Sequence, residues 1–251
     1  MKILLPPSEG KTAPAAGPSL DLSALSFPQL AASREEVLAA LVAASAEEDA
    51  LATLDVGAGL AAEVEANTRL QGAASAPAHD VYSGVLYAAM EAGGVEAHRL
   101  EEVFVSSALF GVVNLMDPIP AYRLSMGTAL PPLGRMRTWW KKRLATVLDE
   151  AFGEELVLDC RSADYRASWP GRPAHTITVD VVQIRNGQRK VVSHFAKHTR
   201  GELAGRLLRA EGPLPETAED LVEASSHWYD VEYTAPTARK AASLTVVLPE
   251  G

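Results

Sequence analysis

His175-Thr-Ile-Thr-Val-Asp-Val-Val-Gln-Ile-Arg185, then Asn186-Gly187, then Gln188-Arg-Lys-Val-Val-Ser-His194, is the stretch whose reading decides the fold class. Both arms are rich in β-branched residues, and Asn-Gly suits a two-residue type I′ turn because both central positions need positive φ. The spacing predicts a β-hairpin over residues 175–194. Past His194, which reads as a strand end, the chain through Thr199-Arg200-Gly201-Glu202-Leu203 turns helical to about Ala210. Upstream, Met136 to Phe152 reads as an amphipathic helix. Its apolar positions are Trp139, Trp140, Leu144, Val147 and Leu148, with Lys141, Lys142 and Arg143 between them. Val103-Phe104-Val105, Leu156-Val157-Leu158 and the segments around Val231 and Leu244 to Leu248 read as strands, and a short helix is expected near Asp220. Helices and strands interleave, so the class is mixed α/β (α+β) with a mixed sheet. No repeat or linker divides the chain, and residues 1–251 are expected to form one domain.

The first segment, Lys2-Ile3-Leu4-Leu5, is an apolar run halted by Pro6-Pro7 and reads as a buried strand. Two or three helices follow up to Leu70, with Leu30, Val37, Leu38, Leu41 and Val42 at helical spacing and Pro28 in a first turn. Within residues 51–70, Leu51-Ala-Thr-Leu54-Asp-Val-Gly57-Ala58-Gly59-Leu60 is similar to a helix-hairpin-helix, in which backbone N–H groups and a helix amino terminus meet a phosphate. Asp55, Glu63 and Glu65 surround it with only Arg69 opposing, and a plain helix–helix connection accounts for it as well.

The formal charge of −9 argues against a protein that coats nucleic acid indiscriminately. Its distribution is uneven: Gly134 to Arg209 holds 15 Lys and Arg against 8 Asp and Glu, leaving 8 against 24 elsewhere. A basic middle between acidic flanks can offer a local anion-binding face, or can be a set of solvated helix and strand-end charges. Only three apolar residues precede Pro6-Pro7, too few for a signal peptide, and no stretch nears the roughly 20 apolar residues of a membrane helix. The cytoplasm is expected by elimination, and the single Cys160 fits a reducing compartment.

Several motifs are excluded or left open on chemistry. Ser8-Glu9-Gly10-Lys11-Thr12 after a strand looks like the end of a P-loop, but Leu5 stands where that loop needs glycine. Lys11 can still face a pocket at a strand's carboxyl end. His194 and His198 lack the glutamate and third ligand of a zinc site, so no metal is expected. No cofactor motif is recognised, and no Gly-x-Ser-x-Gly elbow is present. Cys160, within an apolar strand, reads as a buried small hydrophobe. Lys197-His198-Thr199-Arg200-Gly201 is the strongest anion candidate, at the expected handover from strand to helix where free backbone donors and two cations converge. Arg123 can add a bidentate partner. Tyr82, Tyr122, Tyr165, Trp139 and Trp140 are available to stack bases, or to pack in the core.

Five stretches in this order resemble the YaaA family of bacterial peroxide-stress proteins. They are Val81-Tyr82-Ser83-Gly84, Ser107-Ala-Leu-Phe110-Gly111-Val112, Pro120-Ala-Tyr122-Arg123-Leu124-Ser-Met126-Gly127, Ser162-Ala-Asp164-Tyr165 and Val192-Ser193-His194-Phe195-Ala-Lys197-His-Thr-Arg200-Gly201. Family members often open with a Ser-Pro-Ala-Lys-like segment, whereas this chain has Pro7-Ser8-Glu9-Gly10-Lys11-Thr12. The resemblance implies a cytosolic protein that limits free iron under hydrogen peroxide, with a fold peculiar to the family, a basic cleft, a helix-hairpin-helix-like element and affinity for DNA.

Two functional expectations stand beside each other. In the first, DNA is bound through its phosphate backbone by Lys11, Tyr82, Arg123, Lys197, Arg200, Gly201, Lys141 and Lys142. In the second, an enzyme without a recognised catalytic motif acts on a phosphorylated or carboxylated small molecule in a pocket lined by Lys11, Tyr82, Arg123, Lys197 and Arg200. Convergence on one small cavity favours the second; spreading along an open groove favours the first.

Overall fold

Ile3, Leu4 and Leu5 are all fully buried, which requires a strand covered on both faces, and that requirement places the first segment at the centre of a parallel sheet. The computed structural model describes residues 1–185, 188–191 and 193–250. Among them, eight strands build the central sheet: β1 (Lys2–Leu5), β2 (Val103–Ser107), β3 (Gly111–Asn114), β4 (Val157–Asp159), β5 (Thr176–Arg185), β6 (Gln188–Val191), β7 (Asp230–Thr234) and β8 (Ala242–Leu248). Their order is β7-β8-β5-β4-β1-β2-β3, with β6 beside β5. β1 runs parallel to both neighbours, Ile3 opposite Val103 on one side and Leu158 on the other. β4–β5 and β5–β8 are also parallel, while the edge pairs β2–β3 and β7–β8 are antiparallel. The sheet is therefore mixed and mostly parallel. The chain leaves β1 toward β2 and later returns to its other side as β4, so the strand order reverses at β1.

Thr176–Arg185 and Gln188–Val191 pair antiparallel, with Arg185 opposite Gln188; the expected Asn186-Gly187 turn lies outside the described residues. Along β5 burial alternates from residue 177 onward, as expected of a strand whose two faces meet different surroundings.

The helices include α1 (Ala31–Ser45), α2 (Ala50–Thr53), α3 (Ala61–Asn67), α4 (Val85–Met90), α5 (Met136–Phe152), α6 (Ser193–Arg209) and α7 (Ala218–Ser226). α5 has the bounds its apolar spacing predicts, and it buries Met136, Trp140, Leu144, Leu148 and Phe152 at every fourth residue. Trp140 donates its indole N–H to the Ala108 carbonyl at 2.7 Å. Gly111 lies beneath that ring with φ 75°, and any Cβ there would fall 2.7 Å from the indole. Trp139 is only half-buried and stacks under the Arg143 guanidinium, 3.4 Å from the ring centre.

α6 corrects an expectation. The helix begins at Ser193, so His194 lies in it rather than at a strand end, and Lys197 to Gly201 sit inside the helix rather than at its handover. Ala196, Thr199, Leu203, Ala204, Leu207 and Leu208 form one buried stripe at helical spacing. Burial of that stripe against α4 and the sheet carries the helix back beyond the point where local sequence would start it. The backbone N–H groups of Lys197 to Gly201 lie beyond the first four of the helix, so they are not the free donors expected from sequence.

Buried charges hold the layers together. Arg34 on α1 is fully buried and donates to the carbonyls of Phe110, Val112 and Ser26 at 3.0, 2.8 and 2.7 Å. Asp159 and Arg161, both fully buried, form a bidentate pair at 2.9 and 2.7 Å at the carboxyl end of β4. Arg161 also donates to Ser106 Oγ in β2 and to the Trp169 carbonyl, so one guanidinium spans the strands flanking β1. No helix among the described residues is long and apolar enough to cross a membrane.

Candidate functional site

In an open parallel sheet, ligands bind beyond the carboxyl ends of the strands, near the point where strand order reverses. A cavity of 370 Å³ lies there, walled by residues 6–11 after β1, by Cys160, Ser162, Asp164 and Tyr165 after β4, by residues 83–87 and 123–125, and by Lys197 and Arg200 of α6. Pro6-Pro7 ends β1 and sends the chain into the loop that carries Lys11. Backbone and side-chain hydrogen bonds fix that loop to α4 and to the segment before it. Thr12 N–H donates to the Val81 carbonyl at 2.8 Å, Ser83 N–H to Ser8 Oγ at 3.0 Å, and Tyr87 O–H to the Pro6 carbonyl at 2.7 Å. No helix follows the loop directly, so the P-loop geometry is absent from it.

Lys11 Nζ donates to the Ser8 carbonyl at 2.8 Å and lies 4.3 Å from the Tyr122 ring centre and 5.6 Å from that of Tyr82. Both tyrosines are buried, and their hydroxyls lie 3.0 Å apart, with Tyr122 Oη 2.7 Å from Ser107 Oγ. Burial holds both phenols far above the ordinary tyrosine range. Desolvation, and next the positive charge of Arg123, pull the Lys11 ammonium down to about 7; Glu63 and Glu9 oppose this weakly. Half of this amine is then uncharged near neutral pH.

Arg123 enters from the loop after Tyr122, and α3 sets its position. Asn67 grips its backbone from both sides, donating to the Arg123 carbonyl and accepting from its N–H, each at 2.9 Å. The guanidinium donates to the Glu9 carbonyl at 3.2 Å and stands 4.0 Å from the Glu63 carboxylate, also on α3. The segment resembling a helix-hairpin-helix comprises the one-turn α2, a 3-10 turn at Ala58–Leu60 and the seven-residue α3. Its contribution to this site is the positioning of Arg123. Arg200 donates from Nε and Nη2 to the Val179 carbonyl at 3.0 and 2.7 Å, which leaves its charge uncompensated by any described carboxylate within 4.0 Å.

Lys11, Arg123, Lys197 and Arg200 thus line one cavity, against Glu9 and Asp164 as its acidic lining residues. Asp164 is engaged by Arg137 at 3.5 Å. Among the described residues, no carboxylate comes within 4.0 Å of Lys11 or Lys197 either. Tyr82 forms the floor beneath Lys11 rather than the wall. Gly201 is not part of the lining: it packs against α4, where a Cβ would fall 2.8 Å from the Leu86 carbonyl carbon and nearer still to its oxygen. Lys141 and Lys142 are exposed on α5 and do not join the cavity. Much of the basic middle is neutralised internally, through Arg161–Asp159, Arg172–Glu154, Arg189–Glu232, Arg206–Glu202 and Arg209–Glu91.

Sequence reasoning missed Cys160, Ser162 and Asp164 as lining residues. The available signal was their place directly after a buried strand parallel to β1, where the carboxyl end faces the same side. Cys160 is fully buried and its thiol is pushed up to about 12, chiefly by burial, so it stays protonated and unreactive at neutral pH. No three His, Cys, Asp or Glu side chains gather as metal ligands among the described residues.

The sequence profile of the family described as "Peroxide stress protein YaaA" matches residues 1–234. A UPF0246 protein of Streptomyces coelicolor is 44% identical over 246 residues, covering 94% of each chain. UPF0246 proteins of Corynebacterium glutamicum and Corynebacterium efficiens are 42% and 43% identical, covering 88% and 89% of this chain and 90% and 91% of theirs. Every stretch that carries the resemblance starts inside the matched span, from the Val81-Tyr82 floor to the α6 cations. The chain belongs to the YaaA peroxide stress protein family.

Proposed function

We propose that this chain serves peroxide resistance by binding the phosphate or carboxylate of a small molecule in this cavity and acting on it. The observation that carries the reading is convergence: four cations from three separate segments line one 370 Å³ cavity, and three of them have no described carboxylate within 4.0 Å. That volume is within the roughly 300–1,000 Å³ range of small-molecule sites. The guanidinium forks of Arg123 and Arg200 suit planar or tetrahedral anions, while Lys11 can exchange a proton near neutrality. Inorganic phosphate should raise the melting temperature of the wild-type protein, and Arg200→Gln should remove most of that rise. An equal rise in both proteins would remove the cavity from the binding site.

A second reading, DNA held by its phosphate backbone, is favoured by a different observation. Lys197 is exposed on α6 at the cavity, and Lys141 and Lys142 are exposed on α5. Binding of that kind should weaken steeply with salt, and Lys141→Gln with Lys142→Gln should flatten the dependence by about two contacts' worth. A slope unchanged in the double variant would leave the small-molecule reading alone.

A further inference from the structure

We propose that Lys11 is the covalent group of this cavity: its free amine adds to the carbonyl of an aldehyde or ketone bearing a phosphate or carboxylate, and forms an imine. This rests on the anion-pocket reading above and names the substrate class for it. The geometry is that of an amine with no anionic partner, on the wall of a cavity already lined by three other cations. Among the described residues its Nζ donates to the Ser8 carbonyl at 2.8 Å, lies 4.3 Å from the Tyr122 ring centre and has no carboxylate within 4.0 Å. A lysine meant only to hold an anion gains from staying charged, and Arg123, Lys197 and Arg200 already supply that charge around the same cavity. Placing a fourth cation where burial and a neighbouring guanidinium discharge it is costly for binding, and useful for nucleophilic attack.

The step balances without an added reagent. The Lys11 nitrogen lone pair forms the C–N bond while the carbonyl π pair moves to oxygen. A proton passes from nitrogen to that oxygen to give a carbinolamine. The hydroxyl then leaves as water with the second nitrogen proton, and the C=N bond forms. The fixed arginines hold the anionic end, which keeps the carbonyl near Nζ. The amine's protonation is set by the groups that face it: Arg123 pushes it toward the free form, Glu63 and Glu9 toward the ammonium, and the neutral phenols of Tyr82 and Tyr122 exclude water.

Pyridoxal 5′-phosphate, a phosphorylated aldehyde, is the probe, with pyridoxal as its phosphate-free counterpart. The protein is incubated briefly with each, trapped with borohydride, and mapped by peptide mass. Lys11 should be labelled at least about tenfold faster than Lys141 or Lys142 at pH 7, because those two are exposed on α5, outside the cavity that would hold the phosphate beside the amine. The rate at Lys11 should rise with a half-point near 7. Pyridoxal should label Lys11 at least about tenfold more slowly than its phosphate, and Arg200→Gln should abolish that difference. Labelling of Lys11 no faster than of Lys141 overturns the imine proposal. If inorganic phosphate still stabilises the wild type in that case, the anion pocket survives without it. If phosphate neither stabilises the protein nor slows the labelling, the pocket reading fails instead.

Discussion

Replacing Gly201 by alanine tests whether α6, which carries Lys197 and Arg200, is held where the structure places it. An alanine Cβ at that position would lie 2.8 Å from the Leu86 carbonyl carbon and closer still to its oxygen, against about 3.5 Å for ordinary contact. The obstructing atoms are the backbone of α4, so no rotamer change relieves the clash, and the two helices must separate. Gly205, one turn on, packs equally close to the Met90 carbonyl and resists such a shift. Overpacking of this kind costs about 3 kcal/mol or more, and the better helix propensity of alanine returns about 1 kcal/mol. The net loss is about 2 kcal/mol, or a melting temperature lower by about 4–8 °C for a chain of this size. Gly59→Ala is the control, since nothing lies within 4 Å of a Cβ there and its backbone is compatible. That variant should gain about 0.4–1 kcal/mol. Urea unfolding of the three proteins gives the sign directly. A Gly201→Ala protein as stable as the wild type would refute the close approach of α6 and α4.

Asp159→Asn leaves the Arg161 guanidinium buried beside a neutral amide, and such a half-broken pair costs about 3–5 kcal/mol, measurable by the same unfolding assay; a loss under about 1 kcal/mol would mean the pair is not buried as described. Lys11 gives a pH signature. Its folded value, about 7, lies below the ordinary 10.5, so the unfolded chain binds the extra proton between those limits and stability rises with pH across that window. Lys11→Met should remove that rise, and parallel curves for the two proteins from pH 7 to 10.5 would contradict it.

How much of this was legible in the sequence depended on where each residue's partner lies. β1 was legible because a strand covered on both faces must be apolar without interruption, and Ile3 to Leu5 is. α5 was legible because its stripe from Met136 to Phe152 repeats every fourth residue. Lys11, Arg123, Lys197 and Arg200 could be named from local chemistry, and the fold brings all four to one cavity. The start of α6 was not legible, because the β-branched pair Val191-Val192 precedes it directly in sequence and the packing that fixes the helix comes from α4, about 110 residues earlier. Arg34 and Arg161 look like ordinary surface charges in sequence. Their partners are carbonyls and a carboxylate presented by the sheet and its loops, and no local pattern announces a non-local carbonyl. The segment resembling a helix-hairpin-helix shows the same limit: its Asn67 and Glu63 serve Arg123, 56 and 60 residues on.

The cations of α6 and of the loop after Tyr122 are proposed to cooperate on one anion. Crystals soaked in tungstate, a heavy tetrahedral analogue of phosphate, locate such an anion by its anomalous signal. A peak is expected inside the cavity within hydrogen-bonding distance of both Arg123 and Arg200, lost when the two are changed together to glutamine. Tungstate bound only on the outer surface, with the cavity empty in the unaltered protein, would contradict it.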